Sequence, residues 1–273
     1  MEEVAEIARR HGLRGEARRY PKGTQPVFAI GEEHVVKLFP PASRRNGDNE
    51  RDALALLGGR LPVATPELRA AGELGTWSYL VMTQLHGAAP AEMLRYAAQL
   101  GATLRALHAL DADARALPHA VVWDELLAAR RAGATARAAG QGADPAWVAR
   151  IDPFLASVDL AADARVFLHT EVMPAHLLAA GDRLTGLVDF EPAMFGPPEY
   201  ELTSIGLFVS RGDPAVLRAV VSASGLAAPG LARRLMAYAL LHRYANLRWY
   251  LAELPPAEGT DSFEELAAQW FGH

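Results

Sequence analysis

The sequence contains no cysteine among its 273 residues. Disulfide bonds, thiolate metal ligands and cysteine nucleophiles are therefore excluded, and nothing indicates an oxidising compartment. The sequence also lacks any run approaching the roughly 20 apolar residues of a membrane-spanning helix, and its first residues lack the apolar core of a signal peptide. From these absences we expect a cytoplasmic protein without a membrane partner.

Positive charge is in deficit, because 27 Lys and Arg residues stand against 32 Asp and Glu residues and give a net charge of -5. This balance argues against a nucleic-acid partner and is compatible with a cationic ligand. With 51% hydrophobic and 22% charged residues, the composition is that of a globular protein with one large or two smaller domains.

The most informative stretch covers residues 166–202, where two apolar runs each end in polar residues. The runs are Val166–Leu168 and residues 184–188, and the polar residues after them are His169, Thr170 and Glu171 in the first case and Asp189 in the second. This pattern predicts a hairpin-like pair of short strands, with Gly181 and Asp182 as a turn between them. Such a pair would bring Glu171, His176 and Asp189 together.

The order His169-Thr170-Glu171, four residues, His176, and later Asp189-Phe190 resembles the catalytic core of the aminoglycoside phosphotransferase and choline kinase-like family. The resemblance implies an α+β, two-lobed protein-kinase-like fold. Residues 1–87 would form a small nucleotide-binding N-lobe with an antiparallel sheet and one main helix. Residues 88–273 would form a larger, mainly helical C-lobe with the catalytic loop and the acceptor-binding region, and ATP would bind between the lobes.

Two motif positions depart from the family, which has His-Gly-Asp and then Asn. Glu171 stands in the place of the catalytic Asp, and its extra methylene displaces the carboxylate unless the loop compensates. His176 stands in the place of a metal-binding Asn and suits Mn²⁺ better than Mg²⁺, or else bonds to Glu171 or Asp189. The resemblance assigns Asp189 to the metal and His169 to holding the loop, which Glu201 would support from beneath.

For the N-lobe, the pattern predicts a hairpin of strands Val27–Ile30 and His34–Phe39 and a helix over residues 49–57. Residues 43–48 are predicted to be a mobile segment, with Asp48 or Asn49 as the helix cap. By resemblance, Lys37 holds the nucleotide phosphates and Glu50 forms an ion pair with it. The remaining nucleotide-binding candidates are Gly23 and Thr24 in a loop poor in glycine, and the backbone of Thr83, Gln84 and Leu85 at the hinge.

Helical spacing in the second part of the chain predicts helices over residues 99–110, 123–138, 145–158, 202–209, 214–222 and 231–254. Ser262 and Glu265 form a capping-box pattern for a terminal helix. Five acidic residues could line a site for a cationic aminocyclitol or simply face solvent; they are Glu253, Glu258, Asp261, Glu264 and Glu265.

These features favour a kinase that uses ATP or GTP with Mg²⁺ or Mn²⁺ to phosphorylate a hydroxyl of a small molecule. Residues 193–196, with Tyr200 and Glu201, most resemble hygromycin B phosphotransferases, so an aminoglycoside such as hygromycin B is the expected acceptor. A kinase of another metabolite is one alternative, and an impaired kinase-like protein that only binds nucleotide or ligand is another. A hydrolase metal site at His169, Glu171 and His176, or a structural protein without a site, would be further alternatives. The sequence leaves monomer and homodimer open.

Overall fold

The computed structural model describes residues 2–21, 23–160 and 164–272. The chain divides into two compact units, of which the first comprises residues 1–89, 112–120 and 176–193 and the second comprises residues 90–111, 121–175 and 194–273. The first unit thus includes two segments that come after residue 88 in the sequence. The nucleotide-binding role given to residues 1–87 stays a prediction.

The first unit is built on an antiparallel sheet, which has five strands in the order β1-β2-β3-β5-β4 within the described residues. The strands are β1 (Ala17–Arg19), β2 (Val27–Ile30), β3 (His34–Phe39), β4 (Leu68–Leu74) and β5 (Trp77–Thr83). The predicted hairpin of β2 and β3 is confirmed, with Val27 opposite Lys37 and Ile30 opposite His34.

One face of this sheet carries the apolar core of the first unit. Val36 and Leu38 of β3 pack with residues of β2 and β5 and with Val4 and Ile7 of helix α1 (Glu2–Arg10). Successive side chains of a strand point to opposite faces. Lys37, between Val36 and Leu38, therefore points away from this core.

Helix α2 (Arg44–Leu57) begins earlier than predicted. The segment over residues 43–48 is not a loop that Asp48 or Asn49 caps, because a 3₁₀ turn over Pro41–Ser43 leads directly into the helix and Asn49 is buried in its interior. The periodic apolar residues begin only at Ala53. Because the first turns of the helix are polar, hydrophobic periodicity could not reveal them.

The predicted pairing of the two strands in the central stretch is wrong. Strand β6 (Val166–Leu168) pairs with β9 (Met194–Gly196) in the second unit. In the first unit, β7 (Leu177–Ala180) and β8 (Arg183–Leu187) form the hairpin, and Gly181 takes a positive φ of 61° in its turn. The turn at Gly181 and Asp182 was therefore correctly predicted, but it joins a different pair of strands.

The described part of the second unit is mainly helical. Its helices are α3 (Met93–His108), α4 (Trp123–Ala132), α5 (Ala134–Gly140), α6 (Pro145–Val148), α7 (Ile151–Ala156), α8 (Pro198–Ser204), α9 (Pro214–Ser224), α10 (Leu231–Leu241), α11 (Leu247–Glu253) and α12 (Phe263–Phe271). A π-helical turn, Ile205–Ser210, continues α8. Helices α3 and α9 approach closely at Gly101, where a Cβ atom would lie 2.4 Å from the carbonyl oxygen of Val220.

Three predicted long helices are interrupted in the second unit. Residues 123–138 form α4 and α5, residues 145–158 form α6 and α7, and residues 231–254 form α10 and α11. Asn246 caps α11 by accepting a hydrogen bond from the Trp249 N–H at 3.1 Å. The predicted capping box of Ser262 and Glu265 is confirmed at α12. Over the described ranges of the chain, no helix has the length and apolar character needed to cross a bilayer.

Candidate active site

Lys37 lies at the centre of an ion cluster in the first unit that is buried except at Asp189, whose side chain is 33% exposed. Its Nζ atom is 2.8 Å from Glu50 Oε2, 2.6 Å from Asp189 Oδ1 and 3.2 Å from Glu191 Oε2. The side chains of Lys37 and Glu50 are only 7% and 2% exposed. Strand β3 aims Lys37 away from the apolar core, and α2 and the segment after β8 supply the carboxylates.

The cluster contains more negative than positive charge, since one ammonium group faces three carboxylates. Burial alone would lower the pKa of Lys37, but the charges of Glu50, Asp189 and Glu191 outweigh burial and raise it above its ordinary value. Burial raises the pKa of Glu50 to about 7, although Lys37 acts in the opposite direction. Lys37 is thus held in its charged form, and an additional cation would be electrostatically favourable here.

Oxygen atoms suited to a divalent cation converge in this cluster. One ligand atom from each of Glu50, Asp189 and Glu191 lies within 4.8 Å of the others. Glu50 Oε2 and Glu191 Oε2 are buried and accept no hydrogen bond from the described part of the chain, although both lie within ion-pair distance of Lys37. An all-oxygen donor set matches the preference of Mg²⁺ and Mn²⁺, so these residues fit such an ion.

The segment after β8 gives Asp189 an unusual backbone conformation. Asp189 has a φ of 71°, a left-handed value that non-glycine residues seldom adopt. Phe190 is fully buried next to it, and the Ala193 N–H donates to the Phe190 carbonyl oxygen at 3.1 Å. Sequence reasoning selected Asp189 but missed Glu191, for which the only signal was a second carboxylate two residues later.

His176 lies beside Asp189, with its Nε2 atom 3.4 Å from Asp189 Oδ2. Its own carbonyl oxygen accepts a hydrogen bond from the Val188 N–H at 3.0 Å, next to the β7–β8 hairpin. The three residues whose ligand atoms converge are Glu50, Asp189 and Glu191, and His176 is outside that group. A ligand role for His176 stays a prediction.

The predicted catalytic loop follows β6 in the second unit and is held by a buried carboxylate. The backbone N–H groups of His169 and Thr170 donate to the two oxygens of Glu201 at 2.7 and 2.9 Å. All three residues are fully buried. The predicted support by Glu201 is confirmed, and the Glu171 N–H also approaches His169 Nδ1 at 3.4 Å.

Thr170 has a φ of 73°. In the family motif this position is Gly, which adopts such a value without steric cost. For a β-branched residue, a left-handed conformation is strained by about 1–3 kcal/mol and persists only where the surroundings fix it. Both loops that carry the principal candidates, Glu171 and Asp189, therefore contain a strained backbone residue.

A histidine that sequence reasoning did not select also holds the catalytic loop. His242, which is fully buried after α10, has its Nε2 atom 3.1 Å from the Thr170 carbonyl oxygen. Its Nδ1 atom accepts from the Tyr244 N–H at 3.3 Å, and its ring stacks on Tyr200 with centroids 5.2 Å apart. Burial lowers the pKa of His242 to about 4. The neutral ring thus donates at Nε2 and accepts at Nδ1, and only the neutral form can make both bonds at once.

Arginine and aromatic side chains surround this part of the second unit. The Arg243 N–H donates to the Tyr200 hydroxyl at 3.1 Å. Arg130 is partly buried, and its Nε atom has no hydrogen-bond acceptor among the residues described. Burial lowers the pKa of Arg130, and the charge of Arg243 lowers it further. Burial raises the pKa of Tyr250, and the charge of Glu171 raises it further.

The remaining nucleotide-binding candidates lie at the ends of strands of the sheet. Gly23, with a φ of 117°, and Thr24 are exposed in the connection between β1 and β2. At the end of β5, the N–H groups of Thr83 and Gln84 already donate to the carbonyl oxygens of Glu67 and Glu33, at 3.0 and 2.8 Å. Base recognition at the predicted hinge over residues 83–85 would thus depend on carbonyl groups or on Leu85.

The fold and these two loops are those of a kinase-like phosphotransferase that acts on small molecules. The chain belongs to the phosphotransferase enzyme family, whose model matches residues 16–238. The family resemblance seen in the sequence and the predicted α+β kinase-like fold are thereby confirmed. A specific relationship to hygromycin B phosphotransferases stays a prediction.

Solved structures of antibiotic phosphotransferases share the fold. Macrolide 2'-phosphotransferase MphH from Brachybacterium faecium is 24% identical, with 95% of this chain and 100% of that chain covered and a TM-score of 0.67. The GDP complex of aminoglycoside 2'-phosphotransferase-IIIa is 16% identical, with 93% and 96% covered and a TM-score of 0.73. The streptomycin-ATP-APH(2'')-IIa ternary complex is 15% identical, with 96% and 97% covered and a TM-score of 0.65.

Proposed function

We propose that this protein transfers the γ-phosphoryl group of ATP or GTP to a hydroxyl group of a small molecule. The observation that carries the proposal is the cluster of Lys37, Glu50, Asp189 and Glu191, in which the side chains other than Asp189 are largely buried. Phosphoryl transfer needs a fixed cation for the phosphates and carboxylates for a metal ion, and this cluster contains both. ATP and GDP complexes of structurally similar enzymes support a nucleotide as the donor.

Asp189 and Glu191 are the proposed ligands of a divalent cation, Mg²⁺ or Mn²⁺, and His176 is a candidate for a further ligand. When bound, the ion would neutralise charge on the phosphate oxygens. Glu50 is the proposed partner of Lys37, because it is the least exposed of the carboxylates and has Lys37 within 2.8 Å. Lys37 would then be kept charged and oriented for the nucleotide phosphates.

Glu171 is the proposed acceptor of the hydroxyl proton. The acceptor oxygen would form the new bond to the γ-phosphorus as its proton passes to Glu171, and the bond from that phosphorus to the bridging oxygen would break, releasing ADP or GDP. His169, Thr170 and Glu201 hold the backbone on which Glu171 stands. The longer Glu side chain is consistent with slower transfer than an Asp would support.

For the acceptor, we propose an antibiotic of the aminoglycoside type, with hygromycin B as the first candidate from the sequence. Three acidic residues that could have lined a polycation site have structural partners. Glu253 pairs with Arg211 at 3.1 Å, Glu264 pairs with Arg233 at 3.3 Å, and Glu265 caps α12. These contacts leave fewer carboxylates available for a polycation.

A macrolide is the second candidate acceptor, because the part of the second unit around His242 and Tyr250 carries Arg130 and Arg243. An acceptor with few positive charges fits such surroundings better than a polycation. The similarity to a macrolide phosphotransferase supports this candidate.

The proposal is tested by measuring acceptor-dependent consumption of ATP and GTP with Mg²⁺ or Mn²⁺. The panel contains hygromycin B, gentamicin, streptomycin and a macrolide, and the variants are Asp189→Ala and Glu171→Ala, with exposed Glu16→Ala as the matched control. We expect acceptor-dependent turnover in the unmodified protein and in Glu16→Ala, and loss of this turnover in Asp189→Ala and Glu171→Ala. Nucleotide binding without turnover on a broad panel of hydroxyl compounds would favour the binding-protein alternative, and no nucleotide binding at all would reject both.

A further inference from the structure

Asn49 stands directly before Glu50 in the interior of α2 and is 4% exposed. Asparagine is a poor residue for a helix interior, because its side chain competes for backbone hydrogen bonds and its burial requires partners. Its burial in the first unit, next to the residue that pairs with Lys37, therefore indicates a tertiary role.

Both hydrogens of the Asn49 amide are used by the segment that follows β8. Asn49 Nδ2 donates to the Glu191 carbonyl oxygen at 2.9 Å and to the Ala193 carbonyl oxygen at 2.8 Å. The orientation of the amide is unambiguous, because the reversed amide would place its oxygen against two carbonyl oxygens. The Oδ1 atom is buried without a hydrogen-bond donor in the described chain, so the two donated bonds are what the residue contributes.

These carbonyl groups belong to the segment of residues 189–193, which begins with the left-handed Asp189. The segment is not part of a β-ladder, and buried carbonyl groups outside ladders need donors from elsewhere. Glu191 is held at both ends, since Asn49 binds its carbonyl oxygen and Lys37 lies 3.2 Å from its carboxylate.

We propose that Asn49 is a positioning residue for the metal-binding segment of residues 189–193. Through Asn49, α2 fixes the backbone that carries Asp189 and Glu191, and through Glu50 the same helix fixes Lys37. Two consecutive residues of one helix thus fix the position of the Lys37 ammonium group relative to the metal-binding carboxylates of Asp189 and Glu191. The inference rests on the proposed function, because it assumes that Asp189 and Glu191 bind a divalent cation.

The competing explanation is that Asn49 contributes to stability alone. A control on the same helix separates the two explanations. Asp52 Oδ2 lies 2.9 Å from His119 Nδ1, and Asp52 Oδ1 forms an ion pair with Arg51 at 2.9 Å. Neither contact involves residues 189–193. Asp52→Ala should therefore loosen α2 without releasing the metal-binding segment.

The test compares Asn49→Ala, Asn49→Ser and Asp52→Ala with the unmodified protein. Mn²⁺ binding is measured directly by titration without nucleotide, and amide hydrogen exchange is followed in peptides that cover residues 187–195. Loss of a residue that orients metal ligands typically weakens metal binding about 10- to 100-fold. We expect an increase of this size in the Mn²⁺ dissociation constant for Asn49→Ala and a smaller one for Asn49→Ser, which keeps one donor.

Faster exchange in residues 187–195 should accompany the weaker binding in the Asn49 variants, whereas Asp52→Ala should show neither change. Unchanged Mn²⁺ affinity in folded Asn49→Ser and Asn49→Ala would overturn the inference, as would equal weakening in Asp52→Ala. If Asn49→Ala does not fold, the comparison of Asn49→Ser with Asp52→Ala decides. Failure of the unmodified protein to bind Mn²⁺ would instead contradict the proposed metal site.

Discussion

Replacement of Glu201 by Gln should both destabilise the protein and impair the catalytic loop. The carboxylate is fully buried and accepts the N–H groups of His169 and Thr170 at 2.7 and 2.9 Å. In Glu201→Gln, the amide oxygen can accept one of these groups, but the amide nitrogen faces the other N–H donor. One bond loses its ionic partner, and one buried donor is left unsatisfied.

The expected loss of unfolding free energy is about 2–4 kcal/mol. Hydrogen bonds to charged groups contribute about 1.5–3 kcal/mol, and an unsatisfied buried donor costs about 1–3 kcal/mol. Because Glu171 follows Thr170 directly, a loop shift of about 1 Å should also reduce turnover by up to a hundredfold. Urea unfolding and steady-state kinetics on the same preparation measure the two effects.

Glu199→Gln is the matched control, since Glu199 stands two residues earlier on α8. Its carboxylate pairs with Arg234 at 2.6 and 2.7 Å, and the two side chains are 21% and 23% exposed. A partly exposed pair should contribute less than the fully buried carboxylate of Glu201, and its loss should not affect turnover. If Glu201→Gln were no more destabilising than Glu199→Gln and kept full turnover, the argument that Glu201 holds the loop would be refuted.

Three further predictions follow from the same geometry. The pKa of His242 is lowered from 6.5 to about 4 in the folded protein, so between these pH values the unfolded chain binds a proton that the folded protein does not. Up to about 3 kcal/mol of unfolding free energy should therefore be lost as the pH falls from about 6.5 to 4. Urea unfolding at several pH values checks this, and the same dependence of unfolding free energy on pH in His242→Gln would contradict it. Lys37→Met should cost about 3–5 kcal/mol by leaving buried carboxylates unpaired, and the double variant with Glu50→Gln should recover part of this loss in the same assay; no recovery would argue against the pair. Glu171→Gln should lower turnover by about 10²- to 10⁴-fold with Mn²⁺ binding unchanged, and a variant that kept half its activity would exclude Glu171 as the base.

Local patterns predicted the parts of the fold whose partners are close in sequence. The hairpin of β2 and β3 and the capping box of α12 were predicted correctly. Two apolar runs on either side of a turn indicate the hairpin, and the spacing of Ser262 and Glu265 indicates the capping box. The partner of β6 was predicted wrongly, since nothing in an apolar run of three residues tells β8 from β9 as its neighbour. Strand pairing of this kind is decided by tertiary packing.

The candidate site shows the same limit. Lys37, Glu50 and Asp189 were selected from motif positions, and the structure brings them into one cluster. Glu191 and Asn49 were missed as site residues because their roles depend on contacts across 142 to 154 positions. The only local sign of Glu191 was a second carboxylate two residues after Asp189. His242 was missed for the same reason, since its bond to Thr170 spans 72 positions.

The central claim is tested most directly by following transfer of a labelled γ-phosphoryl group from ATP to a hydroxyl acceptor, in the unmodified protein and in Asp189→Ala. The account predicts a phosphorylated acceptor that appears in step with ADP, requires a divalent cation, and is absent from the variant. Labelled product formed equally well by Asp189→Ala would contradict the proposed site. ATP binding without labelled product, for every hydroxyl acceptor of the antibiotic panel, would contradict the proposed antibiotic acceptor.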